Sequence, residues 1–315
     1  MAAGVGNKIE ATDYNLIQSK IALVLGTGSS DYGYGQSVAS SQVVQSNIIS
    51  VTQWNNLRND LVRARQHQTN LTIGSHRPTD VGYVVGSDLT IPTNIEKLTE
   101  ADRASYNAIA DTITTNRLIV PPTGQASREN LIVPAVRTSP WNGTLSHTVT
   151  VTWATANEAR AYFNSGSQIW FSASRTGGVD SGVPTSKNGT WTTLLTNMGI
   201  IKFGYTDTTG TGSGSTSVIG YYDLTTSDQL IFQKSTEQPN YSPNSYRVYA
   251  RLGSSGGVQI IFTIQFRDDS AGSGTYGSGY TDEDVSGTLT STVEVWRSSG
   301  ANVSVPLPPS TSSGI

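Results

Sequence analysis

The sequence predicts a mainly β protein, with a C-terminal antiparallel β-sandwich carrying short helices, preceded by an N-terminal helical and extended region. Three observations carry this prediction. After Trp141 apolar and polar residues alternate with period two, in short runs rich in Val, Ile, Thr and Tyr. Gly-rich and Ser-rich turns separate those runs. Before Val120 the apolar period is that of a helix, with capping residues at its ends.

Residues 12–25 place Tyr14, Ile17, Ile21, Val24 and Leu25 on one helix face, and Gly26 and Gly28 end that helix. A second helix starts at a Ser50-x-x-Gln53 capping box and carries Trp54, Leu57, Leu61 and Val62 on one side. A third begins at Thr99, with Asp102 three residues on, and gathers Tyr106, Ile109, Ala110 and Ile113. Three short amphipathic helices make a thin core, so packing against another copy or partner is expected. The Pro-punctuated stretch 121–140 reads as a linker and sets the domain boundary.

The sandwich is expected over 141–305. Its first strand, 143–153, puts Leu145, Val149, Val151 and Trp153 on one face and mostly Thr on the other. Thr155 and Glu158 form a capping box that opens a short helix through Tyr162 and Phe163, closed by Gly166. Further strands are predicted at 168–176, 200–205, 218–223, 229–234, 245–252, 258–267, 288–296 and 302–305. Between them a helix carries Trp191, Leu194, Leu195 and Met198, stopped by Gly199. Residues 143–151 (GTLSHTVTV) echo 287–295 (GTLTSTVEV), a likeness that strand composition alone can produce. Residues 306–315 have the composition of a disordered Pro/Ser tail, whose ordering is expected to come from assembly contacts.

The 315 residues include 20 Lys+Arg against 23 Asp+Glu and no Cys. Charged residues make up 14%, where soluble domains average about 25%. Ser, Thr, Asn, Gln and Gly take the place of the missing charge. That balance argues against an electrostatic nucleic-acid binder. The absence of Cys removes disulfides and thiolate chemistry. No apolar run approaches the roughly 18 residues of a membrane span, and the N-terminus lacks the basic start and apolar core of a secretion signal.

Catalytic patterns do not emerge. His67, His76 and His147 form no metal-ligand pair, and no Gly-x-Ser-x-Gly elbow joins a strand to a helix. Gly26-Thr27-Gly28 lacks the third glycine of a dinucleotide fingerprint and follows a helix, not a strand. Asp268, Asp269, Asp282, Glu283 and Asp284 flank a Gly/Ser/Tyr loop and offer a calcium alternative to plain solvated charge. Loop tyrosines (Tyr32, Tyr34, Tyr221, Tyr222, Tyr241, Tyr246, Tyr249, Tyr276, Tyr280) suit sugar or protein recognition, with core and rim packing as the other reading. The expectation is a non-enzyme without cofactor or metal.

Three stretches carry a family resemblance: Val51 to Thr69 (VTQWNNLRNDLVRARQHQT), Ala159 to Gly178 (ARAYFNSGSQIWFSASRTGG) and Asp282 to Val305. They resemble virion structural proteins, tail- or neck-associated, of T4-like tailed phages that infect cyanobacteria. In such proteins residues 163–167 usually read Phe-Asn-Ala-Gly-Gly; Ser165 and Ser167 depart from that pattern. The resemblance implies a non-enzymatic protein of the neck, tail or fibre, built as a symmetric homo-oligomer and located in the virion after assembly in the host cytoplasm. Its partners would be copies of itself and other virion proteins, with no nucleic acid and no membrane. A glycan-binding adhesin contacting a host-surface glycan, or a capsid decoration protein, is the alternative. The expected assembly face is Tyr14, Ile17, Ile21, Trp54, Leu57 and Leu61.

Overall fold

The computed structural model describes residues 11–45, 49–69, 100–120, 128–179, 182, 184–253, 256–270 and 284–315. The chain forms two compact units, each drawn from separated stretches of sequence. The first takes residues up to Arg128 with Arg160–Ser167 and Arg297–Pro306; the second takes Glu129–Ala159, Gln168–Trp296 and Leu307–Ile315. The expected division into 1–120, 121–140, 141–305 and 306–315 therefore differs from the observed one. Two short pieces of the predicted sandwich belong to the helical unit.

The first unit is built on α1 (Ala11–Leu25), α2 (Val51–Thr69) and α3 (Glu100–Thr115). The capping box of α2 is reciprocal: Ser50 N donates to Gln53 Oε1 at 2.8 Å, and Gln53 N donates to Ser50 Oγ at 3.2 Å. The half-buried Asn15 and the buried Asp60 clamp the connection between α1 and α2. Asn15 both donates to and accepts from the Val43 backbone, and the buried Asp60 carboxylate accepts from Ser40 N at 2.8 Å. These bonds satisfy main chain that no ladder serves.

The inserted pieces are wired in by polar contacts. Residues 160–167 comprise the second half of α4 (Ala156–Asn164) and the turn after it. Arg160 donates to the carbonyls of Thr27 (2.8 Å) and Gly28 (3.1 Å), and Asn164 donates to Gly33 O. Gly166 has φ +82°, and a Cβ there would stand 2.7 Å from Val120, so both conformation and space demand glycine. Beside it the buried Ser165 carbonyl accepts two bonds, from His67 Nε2 at 2.9 Å and from Ser298 Oγ at 2.6 Å. A carbonyl only accepts, so Nε2 of His67 carries the proton. Ser298 N donates to Ser167 Oγ at 2.8 Å. Further along, Arg63 reaches Asn302 O, and Gln36 exchanges bonds with both Ser304 O and Ser304 N.

The second unit is the sandwich. One sheet orders β1 (Arg128–Arg137), β10 (Thr288–Ser298), β3 (Gln168–Thr176), β4 (Ile201–Phe203) and β5 (Thr208–Gly210). The other orders β11 (Ser310–Ser312), β2 (Gly143–Thr152), β9 (Gln259–Asp268), β8 (Ser245–Leu252), β7 (Gln229–Ser235) and β6 (Ser215–Thr216). The registered pairs are antiparallel. Alternation decides which way each strand faces: Ile260, Phe262, Ile264 and Phe266 of β9 are fully buried, while Gln259, Thr263 and Gln265 look outward. Phe262 packs between Phe171 at 5.0 Å and Phe203 at 5.3 Å, so the sheets meet face to face. Each such phenyl contributes about 1.5–3 kcal/mol by leaving water. Helix α5 (Lys187–Met198), N-capped by Ser186 and stopped at Gly199, adds Trp191 at the end of this core.

The mainly β reading with short helices holds, and several elements depart from expectation. Residues 128–137 of the predicted linker form β1, an edge strand, the place in a sheet where a proline such as Pro134 is tolerated. The predicted tail is held by the chain itself. Ser310, Thr311 and Ser312 pair with Val151, Thr150 and Val149, and Ser313 exchanges bonds with Thr148. Residues 218–223 turn rather than extend, since Gly220 lies against the backbone of Thr206 and Asp207 and Asp223 caps Gly220 N. Residues 302–305 make only the isolated bridge Ser299–Ser304. The two echoing strands, β2 and β10, lie in opposite sheets. Their matched residues His147 and Ser291 meet across the core at 2.9 Å.

Two outcomes follow from these polar contacts. Ser167→Gly leaves Ser298 N without its acceptor. It should lower stability by about 1–3 kcal/mol, read as a lower denaturant midpoint and faster hydrogen exchange at Ser298. His147 is fully buried between Ser291 Oγ and Ser312 Oγ, and burial holds its imidazole down at about 4. The unfolded chain binds that proton near 6.5. Stability should thus be complete above pH 6.5 and fall as pH drops toward 4, by on the order of 3 kcal/mol. Denaturant midpoints measured across that window should flatten in His147→Gln, which has no proton to take up.

Candidate functional site

A helix stripe states that a face must be covered and does not state by what. Tyr14, Ile17, Ile21, Trp54, Leu57 and Leu61 are at most 3% exposed within the chain's own fold. Tyr14 packs on Trp54 with centroids 6.0 Å apart, and Trp54 meets the edge of Tyr106 at 5.3 Å. The Tyr14 hydroxyl donates to Gln53 O at 2.9 Å, and burial, with Asp60 adding to it, pushes its ionisation up to about 12. These six residues are the core of the helical unit. The expected assembly face is corrected accordingly: α1, α2 and α3 cover one another's stripes.

The loop tyrosines divide. Tyr34, Tyr241 and Tyr246 are buried, and burial raises the Tyr246 hydroxyl strongly. Tyr34 donates to Arg117 O at 2.7 Å and packs against the His67 ring at 5.0 Å. Tyr32 lies under the Arg117 guanidinium at 4.1 Å. Tyr221 and Tyr222 meet edge to face at 5.1 Å, with Tyr222 exposed. Tyr276 and Tyr280 lie outside the described residues, as do His76, Asp282 and Glu283. Asp268 is committed to the buried Lys187 at 2.6 Å, while Asp284 is exposed. Among the described residues no group of three His, Asp or Glu could hold a metal ion, and no helix is long and apolar enough to cross a membrane.

Among the described residues the outward faces of the sheets offer broad surfaces. On the five-stranded sheet Glu294, Trp170 and Lys202 stand in register across β10, β3 and β4. Trp296 stacks on Trp170 at 4.1 Å and 25°, and the Lys202 ammonium lies 4.4 Å from the centre of the Trp170 ring. With both faces of Trp170 taken, this ladder ties three strands together. The indole N–H groups are also occupied, by Gln168 and Glu294.

The six-stranded sheet offers something different. Register aligns Leu230, Tyr249, Thr263 and Thr148 in one row across β7, β8, β9 and β2. A neighbouring row runs Gln233, Arg247, Gln265 and Ser146, and another runs Arg251, Ile261 and Thr150. None of these positions holds a carboxylate. Asp228 and Asp269, which pair with Arg251 and Arg267, stand off the rows. The face is broad and pleated, and its rows carry arginine as their only charge, with Tyr249 between Arg247 and Arg251. Tyr and Arg are the residues that dominate the centres of protein interfaces. Alternation showed the outward residues of each strand in the sequence. Their assembly into rows depends on register, which one strand alone does not specify.

No family model, curated protein or solved structure matches this chain.

Proposed function

We propose that this chain is a non-enzymatic structural protein of a tailed-phage virion, acting in the neck, tail or fibre as a symmetric homo-oligomer. The observation that carries the assembly part is the outer face of the six-stranded sheet. Its Leu230–Tyr249–Thr263–Thr148 row is flanked by Arg, Gln, Ser and Thr and lacks carboxylates. The Ser, Thr and Gln of this face are inexpensive to desolvate against a neighbouring copy, while Tyr249, Arg247 and Arg251 supply area and directional donors for carbonyls or carboxylates of that copy. The virion part rests on the three resembling stretches. Parts of all three, α2, residues 160–167 and residues 297–305, fall in the helical unit around the Ser165 carbonyl.

The glycan-binding alternative loses Tyr34, Tyr241 and Tyr246 to the core and keeps, among the described residues, the Tyr221/Tyr222 pair as an accessible candidate. A glycan array with Tyr222→Ala as control addresses it directly.

Sedimentation velocity tests the assembly face. The wild-type chain should sediment as a closed oligomer at micromolar concentration. Thr263→Glu places a carboxylate at the centre of the face and should shift the distribution to monomer. Its melting curve should stay nearly unchanged, because Thr263 is half-buried on the outward face and substitutions away from the core move stability by only about 0.5 kcal/mol. A monomeric wild type, or a variant that assembles as the wild type does, refutes this face. Peptide identification in purified particles tests the virion assignment separately.

A further inference from the structure

At one end of the sandwich three rings interlock. Trp191 of α5 lies 6.4 Å from Phe266 of β9, which lies 5.2 Å from Tyr246 of β8. One periodic step along each element stands a polar residue on the same face. Lys187 is four residues before Trp191, Asn244 two before Tyr246, and Asp268 two after Phe266. Lys187 and Asn244 are completely buried and Asp268 is 3% exposed. The β8–β9 register pairs Ser245 with Arg267, so the next step sets Asn244 opposite Asp268. Side chains opposed in this way have Cβ atoms about 5 Å apart.

Their contacts are specific. Lys187 Nζ is 2.6 Å from Asp268 Oδ2. Ser270 N donates to Asn244 Oδ1 at 2.9 Å, and Ser270 Oγ bonds Asp268 Oδ1 at 3.2 Å. The Asn244 amide nitrogen is buried without a well-aligned hydrogen-bond acceptor among the described residues. A plain ion pair accounts for Lys187 and Asp268. It leaves unexplained a buried carboxamide whose oxygen is held by a backbone donor and whose nitrogen has the Asp268 carboxyl as its neighbour without a well-aligned bond to it.

We propose that Lys187 Nζ and Asn244 Cγ become joined by an intramolecular amide bond, with Asp268 as the proton relay. The enclosure favours neutral partners. Burial pushes the Asp268 carboxyl up, opposed by its contacts with Lys187, Ser270 and Asn244. A proton passes from the Lys187 ammonium to the Asp268 carboxylate and leaves a neutral amine, the nucleophilic form. The amine lone pair attacks Asn244 Cγ, and the carbonyl electron pair moves onto Oδ1, where Ser270 N–H meets the developing charge. Asp268 protonates Nδ2, the Cγ–Nδ2 bond breaks with its electrons on nitrogen, and ammonia leaves. The remaining amine proton returns to Asp268. Amine and carboxamide become secondary amide and ammonia, with no oxidant, metal or further reactant. The product ties the first turn of α5 to the start of β8.

Intact-mass spectrometry of the purified full chain, followed by tryptic mapping, tests this. The expected result is a mass one ammonia below that of the sequence, no cleavage after Lys187, and a branched peptide joining the Lys187 and Asn244 segments. Lys187→Arg and Asn244→Ala should each restore the full mass. A wild-type chain of unmodified mass overturns the proposal, whether or not the variants fold. Loss of water overturns it too, since that would place the bond at the Asp268 carboxyl. So does loss of ammonia with every peptide linear, the mark of a succinimide at Asn142-Gly143 or Asn188-Gly189. Bond formation at an undiminished rate in a folded Asp268→Asn chain rules out the relay.

Discussion

The carbonyl oxygen of Ser165 is the point on which the helical unit depends. His67 from the second helix and Ser298 from the last long strand both donate to it, and all of these groups are buried. Buried main-chain acceptors must be satisfied locally, because water is absent and the cost of leaving one bare is about 1–3 kcal/mol. Meeting that requirement fixes the end of α2, the turn at Gly166 and the last residues of β10 with respect to one another. The neighbouring contacts of Arg160, Asn164, Arg63 and Gln36 extend the same scheme, in which side chains from one stretch cap main chain from another.

Local rules made much of the fold readable. The Ser50/Gln53 box, the Trp191 helix stopped by Gly199, and strands such as 168–176 and 245–252 follow from caps and period alone. What escaped depends on distant partners. The stripes of α1 and α2 look the same whether a sister helix or another molecule covers them. Residues 310–312 read as tail because three residues of Ser and Thr carry no strand signal until β2 supplies a ladder. Residues 218–223 have strand composition, yet close approach at Gly220 imposes a turn. The assembly rows and the Lys187–Asn244–Asp268 cluster were hidden for one reason: register brings together residues that sequence distance separates.

The low charge of the chain takes on a second meaning in the fold. Several of its few ionic groups lie inside: Asp60, Lys187, Asp268 and Arg175 are at most 3% exposed. Arg175 donates to Asn188 O at 2.9 Å, to Asn188 Oδ1 at 2.6 Å and to Gly177 O at 3.0 Å, and burial lowers its proton affinity. Its guanidinium fork ties the end of β3 to α5 and the loop beside it. Part of the charge thus organises irregular backbone, and the sheet faces carry Ser, Thr and Gln with few charged residues among them.

The interleaving of the two units bears on synthesis as well as stability. A ribosome releases the three helices first, yet their unit needs residues 160–167 and 297–306. Until those arrive, the apolar stripes have each other but the Ser165 acceptor and its donors are not yet assembled. The sandwich in turn waits for Leu307–Ile315, which supplies β11. Neither unit can close until residues 297–315 have emerged, so the two units are completed together rather than one after the other during translation. A product truncated before residue 297 would therefore lack parts of both units at once.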